Sequence, residues 1–512
     1  MHPCLRLPEV LSIILEFVHV HEEDACRTLA AAARTCKPFK EPALDKLYRE
    51  ISMLDVLKVL PEDLLEVKRA GPNRFMTFRR AMVLSDWRIL ERYVSRVRSL
   101  VSSDSTTGNL AIDKVVMSSL SSFCGAHLFP NVQRVEAFDS FFQGNFLPLA
   151  FGPRVIEVEF GNLPTNGAHT FTLLSQACPS LETISIIGGV DLHTRRALPN
   201  VLSDAVSLGF QKLKTFKIGT RLIIRTPSEL FPFLSSLPCL EELAFYITPL
   251  PPYHGAPPIL QPTRLFAFPS LQRLTLDYGG SKEVTSFMCS LSDLKTMTSL
   301  RAVLYSGSIH VGDTVEMLQI LTKILPADNM LSLKLTHCFD GPVVPGLLDL
   351  LTFRRIYKFK NLTKLSFNLI CSPEMNNSFI QELSAAFPKL ESLSFYTGPL
   401  PPLSNHITMT GLATLLSGCP NLYHISLIVD FTTANNAAFD ASPPTACNSR
   451  INRTCFAHSP IDDPAFVARH LVRMFPRLSD ISPHPVKSFT GDCMWQKVET
   501  IVRKAHSARV LC

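Results

Sequence analysis

One recurring phrase limits what this chain can fold into. From about residue 95 onward it repeats a bulky or Cys residue, often Pro, any residue, then Leu-x-x-Leu-x-Leu with apolar swaps. It reads FPNVQRVEA at 129–137, CPSLETISI at 178–186, LPCLEELAF at 237–245, FPSLQRLTL at 268–276, FPKLESLSF at 387–395 and CPNLYHISL at 419–427. Copies without Pro are FQKLKTFKI at 210–218 and FKNLTKLSF at 359–367. With weaker copies at Val155, Leu300 and Met330, the first apolar position advances from Val132 to Leu422 in ten steps over 290 residues, a mean of 29. A further copy begins at Leu478, 56 residues or about two periods on.

Alternating apolar residues make a short strand with one face inward, and the Pro ahead of it cannot continue a helix. Between phrases, Val284, Phe287, Met288, Leu291 and Leu294 fall on one helical face, as do Phe379, Ile380, Leu383 and Phe387. Each strand-helix unit buries its face only against its neighbours. This period and phrase are the signature of leucine-rich repeats. The expected fold is therefore α/β: an irregular leucine-rich-repeat solenoid of short parallel strands and helices over 94–482. The usual Asn or Cys after the strand occurs once, at Cys338, against Gly279, Gly398, Thr248, Asp430 and Ile370 elsewhere, so the turns are expected to be uneven. Two Pro-rich copies, LEELAFYITPLPP at 240–252 and LESLSFYTGPLPP at 390–402, read as stiff spacers leaving one edge, or as part of a binding rim.

The N-terminus has a different pattern. LPEVLSIILEFV from Leu7 starts a helix, with Pro8 at a first position where its missing N–H costs nothing. Val10, Ile13, Ile14, Phe17 and Val18 form one apolar face, while Leu11 and Leu15 extend it round the side; only Ser12 and Glu16 look solvated. A module of about fifty residues cannot cover two apolar faces from its own core. Either the repeats behind it or a partner covers the second.

This segment resembles the F-box. Leu7-Pro8-Glu9, Ile13-Ile14 and Phe17-Val18 are followed by LAAAARTCKPFKEPALDKLYREI from Leu29 to Ile51, a run similar to fungal F-box proteins. Leu29, Ala33, Cys36, Phe39, Leu44, Leu47 and Tyr48 match the apolar positions of the later helices. The resemblance implies a small all-α module at 1–51 that binds the Skp adaptor, and through it a cullin scaffold of a ubiquitin ligase. By position, Leu7, Pro8, Ile14, Phe17 and Val18, with Leu29, Cys36, Phe39, Leu47 and Tyr48, would make that contact. Tyr48 stands where many members carry Trp, and the His19–Asp24 link is polar and somewhat long. The solenoid would then hold a protein substrate that the sequence does not identify. A non-ligase repeat scaffold and a small-molecule-sensing receptor are the alternatives.

Residues 52–93 read as a stiff helical linker, with Leu54, Leu57 and Leu60 in one helix and Met82, Trp87 and Leu90 near another. VSRVRSLV at 94–101 reads as an incomplete first strand. Residues 430–460, rich in Ala, Asn, Ser, Thr and Pro, read as a flexible insertion. Asp463-Pro464 restarts a helix, and Trp495, Val498, Ile501 and Val502 make one face of a capping helix within 483–512.

No catalytic constellation stands out. Phosphate-loop, dinucleotide and nucleophile-elbow strings are missing, as is any C-x-x-C among the 14 cysteines. Cys178 and Cys419 occupy a position that Phe takes in other copies and read as core residues, and His19 and His21 lack a third metal ligand. No enzyme activity, cofactor or metal is expected. A net charge of +6 over 512 residues does not imply nucleic acid, and no stretch of 18 apolar residues implies a membrane span. The expected location is the cytoplasm or nucleus.

Overall fold

A computed structural model of the chain describes residues 7–21, 24–71, 73–102, 110–125, 127–137, 147–161, 167–187, 209–219, 227–246, 265–305, 311–338, 346–369, 371–395, 405–441, 446–456, 459–481 and 492–510. The chain divides into two compact units, one comprising Met1–Leu222 with Thr226–Leu240 and the other Ile223–Arg225 with Glu241–Cys512.

The first unit opens with three helices, α1 (Pro8–His21), α2 (Ala25–Thr35) and α3 (Lys37–Leu47), separated by the extended backbone of Cys36 between the last two. Strand β1 (Glu50–Ser52) follows directly, then α4 (Met53–Leu57), a hairpin of β2 (Leu65–Ala70) and β3 (Asn73–Phe78), and α5 (Leu84–Val94). Next come β4 (Ser99–Val101), β5 (Leu110–Ile112), which lies parallel to β3, and α6 (Lys114–Phe123). Strands β6 (Arg134–Ala137), β7 (Glu157–Phe160), β8 (Thr183–Ile186) and β9 (Thr215–Ile218) complete a parallel ladder in the order β1-β4-β6-β7-β8-β9.

The second unit repeats the plan with a parallel ladder of nine strands among the described residues: Glu242–Tyr246, Arg273–Gly279, Ser299–Tyr305, Ser332–Cys338, Lys364–Asn368, Ser392–Ser394, His424–Ser426, Arg453–Cys455 and Asp480–Ile481. Helices such as Ser281–Cys289, Val311–Ile324, Asn377–Ala386 and Met409–Gly418 return the chain from one strand to the next. One parallel strand per phrase and a return segment between phrases make each unit a leucine-rich-repeat stack.

The core sits where the phrase puts it. Leu271, Leu274 and Leu276, or Leu390, Leu393 and Phe395, are buried, and the residues between them are not. Phe353 packs against Phe367, Phe379 and Phe395 at centroid distances of 5.1, 5.2 and 5.8 Å, filling one stretch of that core with rings from four separate segments. Cys178 and Cys419 are buried as core residues, and burial pushes both thiols up to about 12.

A polar device ties successive repeats together. The Asn just ahead of the first apolar position donates its side-chain amide to a carbonyl one repeat back: Asn131 to Ser95 at 2.7 Å, Asn329 to Lys295 at 2.6 Å and Asn361 to Asp328 at 2.7 Å. A basic residue at the same place in the following repeat then donates to the Asn oxygen. Arg154 bonds Asn131 in this way, Lys389 bonds Asn361 at 2.7 Å, and Arg450 bonds Asn421 at 2.8 Å.

Three expectations are corrected. Residues 430–460 are not a plain flexible insertion: Thr433–Ala441 is a helix and Arg453–Cys455 a strand paired with His424–Ser426. Some of their polar residues, Asn436, Asn448, Thr454 and Ser459, are part of the core. Asn436 is buried, accepts from the Met409 amide at 2.9 Å and donates to the carbonyls of Asp430 and Thr432 at 2.9 and 2.8 Å. The linker at 52–93 holds two helices, the first ending at Leu57 so that Leu60 lies beyond it, but also a hairpin, turned at Gly71, whose φ of +63° is open to glycine at no steric cost. In the C-terminal helix Asp492–Val510, Val498 and Val502 are buried and Trp495 donates to the Ser459 carbonyl at 3.1 Å, whereas Ile501 faces outward. Both Pro-rich loops, 247–252 and 396–402, lie outside the described residues.

Candidate functional site

The N-terminal helices pack through a small core. Leu15 of α1, Leu29 of α2 and Ala43 of α3 are buried together, with Val18, Ala32, Ala33 and Leu47 closing round them. Leu11 is buried as well. The side of α1 that looked peripheral in the sequence is thus the one that holds the module together. Fully burying a leucine stabilises by about 2 kcal/mol, so Leu11, Leu15 and Leu29 set the packing angle.

The opposite side of α1 faces water. Ile13 is 72% exposed, Phe17 66%, Leu7 51% and Ile14 41%. Four large apolar side chains within eleven residues of one another are an exposed patch of the sort that marks a binding surface. A third side of the helix is polar: Glu16 bonds Lys46 and the Arg49 guanidinium, the latter at 2.8 and 2.9 Å. The Lys46 bond, aided by Arg49, holds the Glu16 carboxyl below its usual range. Glu16 is therefore an intramodule clamp and not simply a solvated residue.

The expected contact residues now separate. Leu7, Ile14 and Phe17 share the exposed face, while Val18 is turned half inward. Leu29 is wholly buried in the module's core and cannot meet a partner, which corrects its assignment, while Leu47, like Val18, is half-buried against that core. Cys36 and Phe39 are half-buried at the α2–α3 joint. Tyr48 lies 4.6 Å from the ring of Tyr93 on α5 and its hydroxyl is pushed up mainly by burial, so it braces the module against the next helix. The side chains of Pro8, His19 and His21 lie outside the described residues. Ile13, exposed most of all, was read as part of the apolar face but not as a contact. Its position one step from Ile14 was the available signal.

The module is tied down on its far side. Arg96, following α5, bonds the carboxylates of Glu41 and Asp45 on α3. The amides of Arg98 and Ser99 both donate to the Arg49 carbonyl at 2.8 Å. Between α3 and the first strands lies a cleft of about 680 Å³ bordered by Lys46, Arg49, Arg96, Arg98, Asn131 and Gln133. Most of its charge is already paired within the protein.

Among the described residues, no three His, Cys, Asp or Glu side chains gather as a metal site, and no helix is long and apolar enough to cross a membrane. No family model and no curated protein matches the chain. Solved structures with similar arrangements include yeast Rad7 in complex with Elc1, at 13% identity and TM-score 0.43, covering 72% of this chain and 82% of that one. Another is the mouse RP105/MD-1 complex, at 10% identity and TM-score 0.37, covering 80% and 64%. A Bacteroides fragilis protein matches at 11% identity and TM-score 0.23, covering 70% and 68%.

Proposed function

We propose that the chain is the substrate-recognition subunit of a Skp–cullin–F-box ubiquitin ligase. The exposed face of α1 carries the reading: Leu7, Ile13, Ile14 and Phe17 present apolar surface to water although the same helix is fully packed on its other side. Were the N-terminal helices only a cap for the repeats, that face would serve better turned inward. In this role the chain performs no chemistry. It binds an adaptor with α1 and a target with the repeats, and bringing the target's lysine near a partner's catalytic centre is its contribution to isopeptide formation.

The test is co-purification with a recombinant Skp adaptor. Ile14→Asp with Phe17→Asp places two charges in the centre of the contact, at about 2 kcal/mol or more each, and is expected to abolish capture while circular dichroism stays unchanged. A wild-type chain that never captures the adaptor sinks the proposal and leaves a repeat protein with another partner on α1.

A further inference from the structure

The second unit's sheet has two faces, and the charge on its solvent face is uneven. Six successive strands, Ser299–Tyr305, Ser332–Cys338, Lys364–Asn368, Ser392–Ser394, His424–Ser426 and Arg453–Cys455, contain no Asp or Glu. Among the described residues, the carboxylates bordering them include Asp277 on the strand before, Glu391 one residue ahead of Ser392, and Asp480 on the strand after. The first unit has the reverse composition, with Glu50, Glu136, Glu157 and Glu159 on its strands beside Arg134.

Within the carboxylate-free stretch, Arg301 and Lys334 stand directly opposite one another on neighbouring strands. Like charges in that register repel and destabilise a sheet. Among the described residues, the acid beside them is Asp277, 3.8 Å from the Arg301 guanidinium. Oδ1 of Asp277 and Oγ1 of Thr336, one row along, are buried without a hydrogen-bond partner. Lys334 is half-buried, and burial followed by the Arg301 charge makes it less basic than usual. Lys364 lies two residues along the next strand, opposite Ser332, and neither lysine forms an ion pair among the described residues. Arg453, by contrast, is paired with Asp480 at 2.6 Å. His424 is held below its usual pKa by burial and by Arg453, both of which disfavour its charged form.

We infer that this face, centred on Arg301, Lys334 and Lys364, binds an extended acidic segment of a protein partner. An acidic side chain placed over Arg301 and Lys334 relieves a repulsion that Asp277 offsets only in part, and charge-assisted bonds of this kind are the strong ones. Ser366, Ser394 and Ser426 continue the Lys334 row across the sheet and are short enough for a backbone to approach. Six strands about 4.8 Å apart span about 24 Å, the length of about seven extended residues. A nucleic acid fits less well, because the cations are few and spaced by hydroxyls, whereas phosphate backbones bind dense positive charge.

This names the chemistry of the substrate in the function proposed above, and rests on that function only for the word substrate. The full-length chain is titrated, by fluorescence anisotropy, with three labelled probes: a heptapeptide of alternating Glu and Ser, its Gln/Ser counterpart, and a single-stranded oligonucleotide. The Glu peptide is expected to bind in a salt-sensitive way, and Lys334→Gln with Lys364→Gln to weaken it by about tenfold or more. Both changes remove positive charge from a solvent face, and adaptor capture and thermal melting check that the variant remains folded. If that variant melts early, Lys364→Gln alone, at an exposed position, supplies the comparison. Equal binding of the Glu and Gln peptides, unchanged binding by the folded variant, or binding of the oligonucleotide alone overturns the inference. A chain that binds the Glu peptide but no adaptor keeps this inference and loses the ligase reading.

Discussion

Asn436 shows how a single polar residue can hold a repeat in place. Its amide satisfies one backbone N–H and two carbonyls inside the core, so Asn436→Ala would leave the Met409 amide buried without its acceptor. The expected cost is about 2 kcal/mol or more, seen as a lower denaturant midpoint at unchanged slope. Asp86 does comparable work at the start of α5, accepting from the Val83 amide at 3.0 Å and from Arg80 at 2.6 and 3.1 Å. The Arg80 bonds hold its carboxyl below the usual range. The stabilisation is therefore complete above the unfolded value of about 3.9 and is lost as pH falls through the lower folded value. Asp86→Asn should melt earlier than wild type at neutral pH, with the gap narrowing below about pH 4. Neither residue stood out in the sequence, because a polar side chain satisfied by distant backbone groups has no periodicity to betray it.

At the scale of elements, legibility followed burial on one side. Strands such as Arg273–Gly279 were readable because Leu274 and Leu276 alternate with Arg273, Thr275 and Asp277, a period of two that only a one-sided strand requires. The hairpin of β2 and β3 escaped because LEVKRA carries three charges in six residues and NRFMTF shows no clean apolar alternation, and the Gly71-Pro72 pair between them was the overlooked turn signal. Residues 430–460 escaped for the opposite reason: composition counts Asn and Thr as solvated, yet Asn436, Asn448 and Thr454 are buried. The strand Arg453–Cys455 supplies the check. Its amides should exchange with deuterium as slowly as those of its neighbour His424–Ser426, and fast exchange there would restore the flexible reading. In α1 the helix was legible and its orientation was not. An apolar residue every three or four positions runs round most of the cylinder, and only the packing of Leu11 and Leu15 decides which side remains outside.

At the scale of the molecule, the candidate adaptor face and the repeats differ in how they were found. The repeats follow from spacing that any chain must satisfy to stack strands, while the two-sided apolar pattern of α1 pointed to a face needing cover and the packing of Leu11 and Leu15 showed which side is exposed. Sharing out those sides depends on how α1, β1 and β4 join. Only Tyr48 and Arg49 separate the end of α3 from β1, and β1 is already the first strand of the parallel ladder. That joint has an evolutionary consequence. An added or lost residue between Leu47 and Glu50 would flip β1 by one pleat and swing α1 with it, so divergence here has to proceed by exchange of side chains at constant length. Descendants of such a chain could exchange side chains on α1 and on the repeats many times over, while the spacing from α3 to the first strand stays fixed.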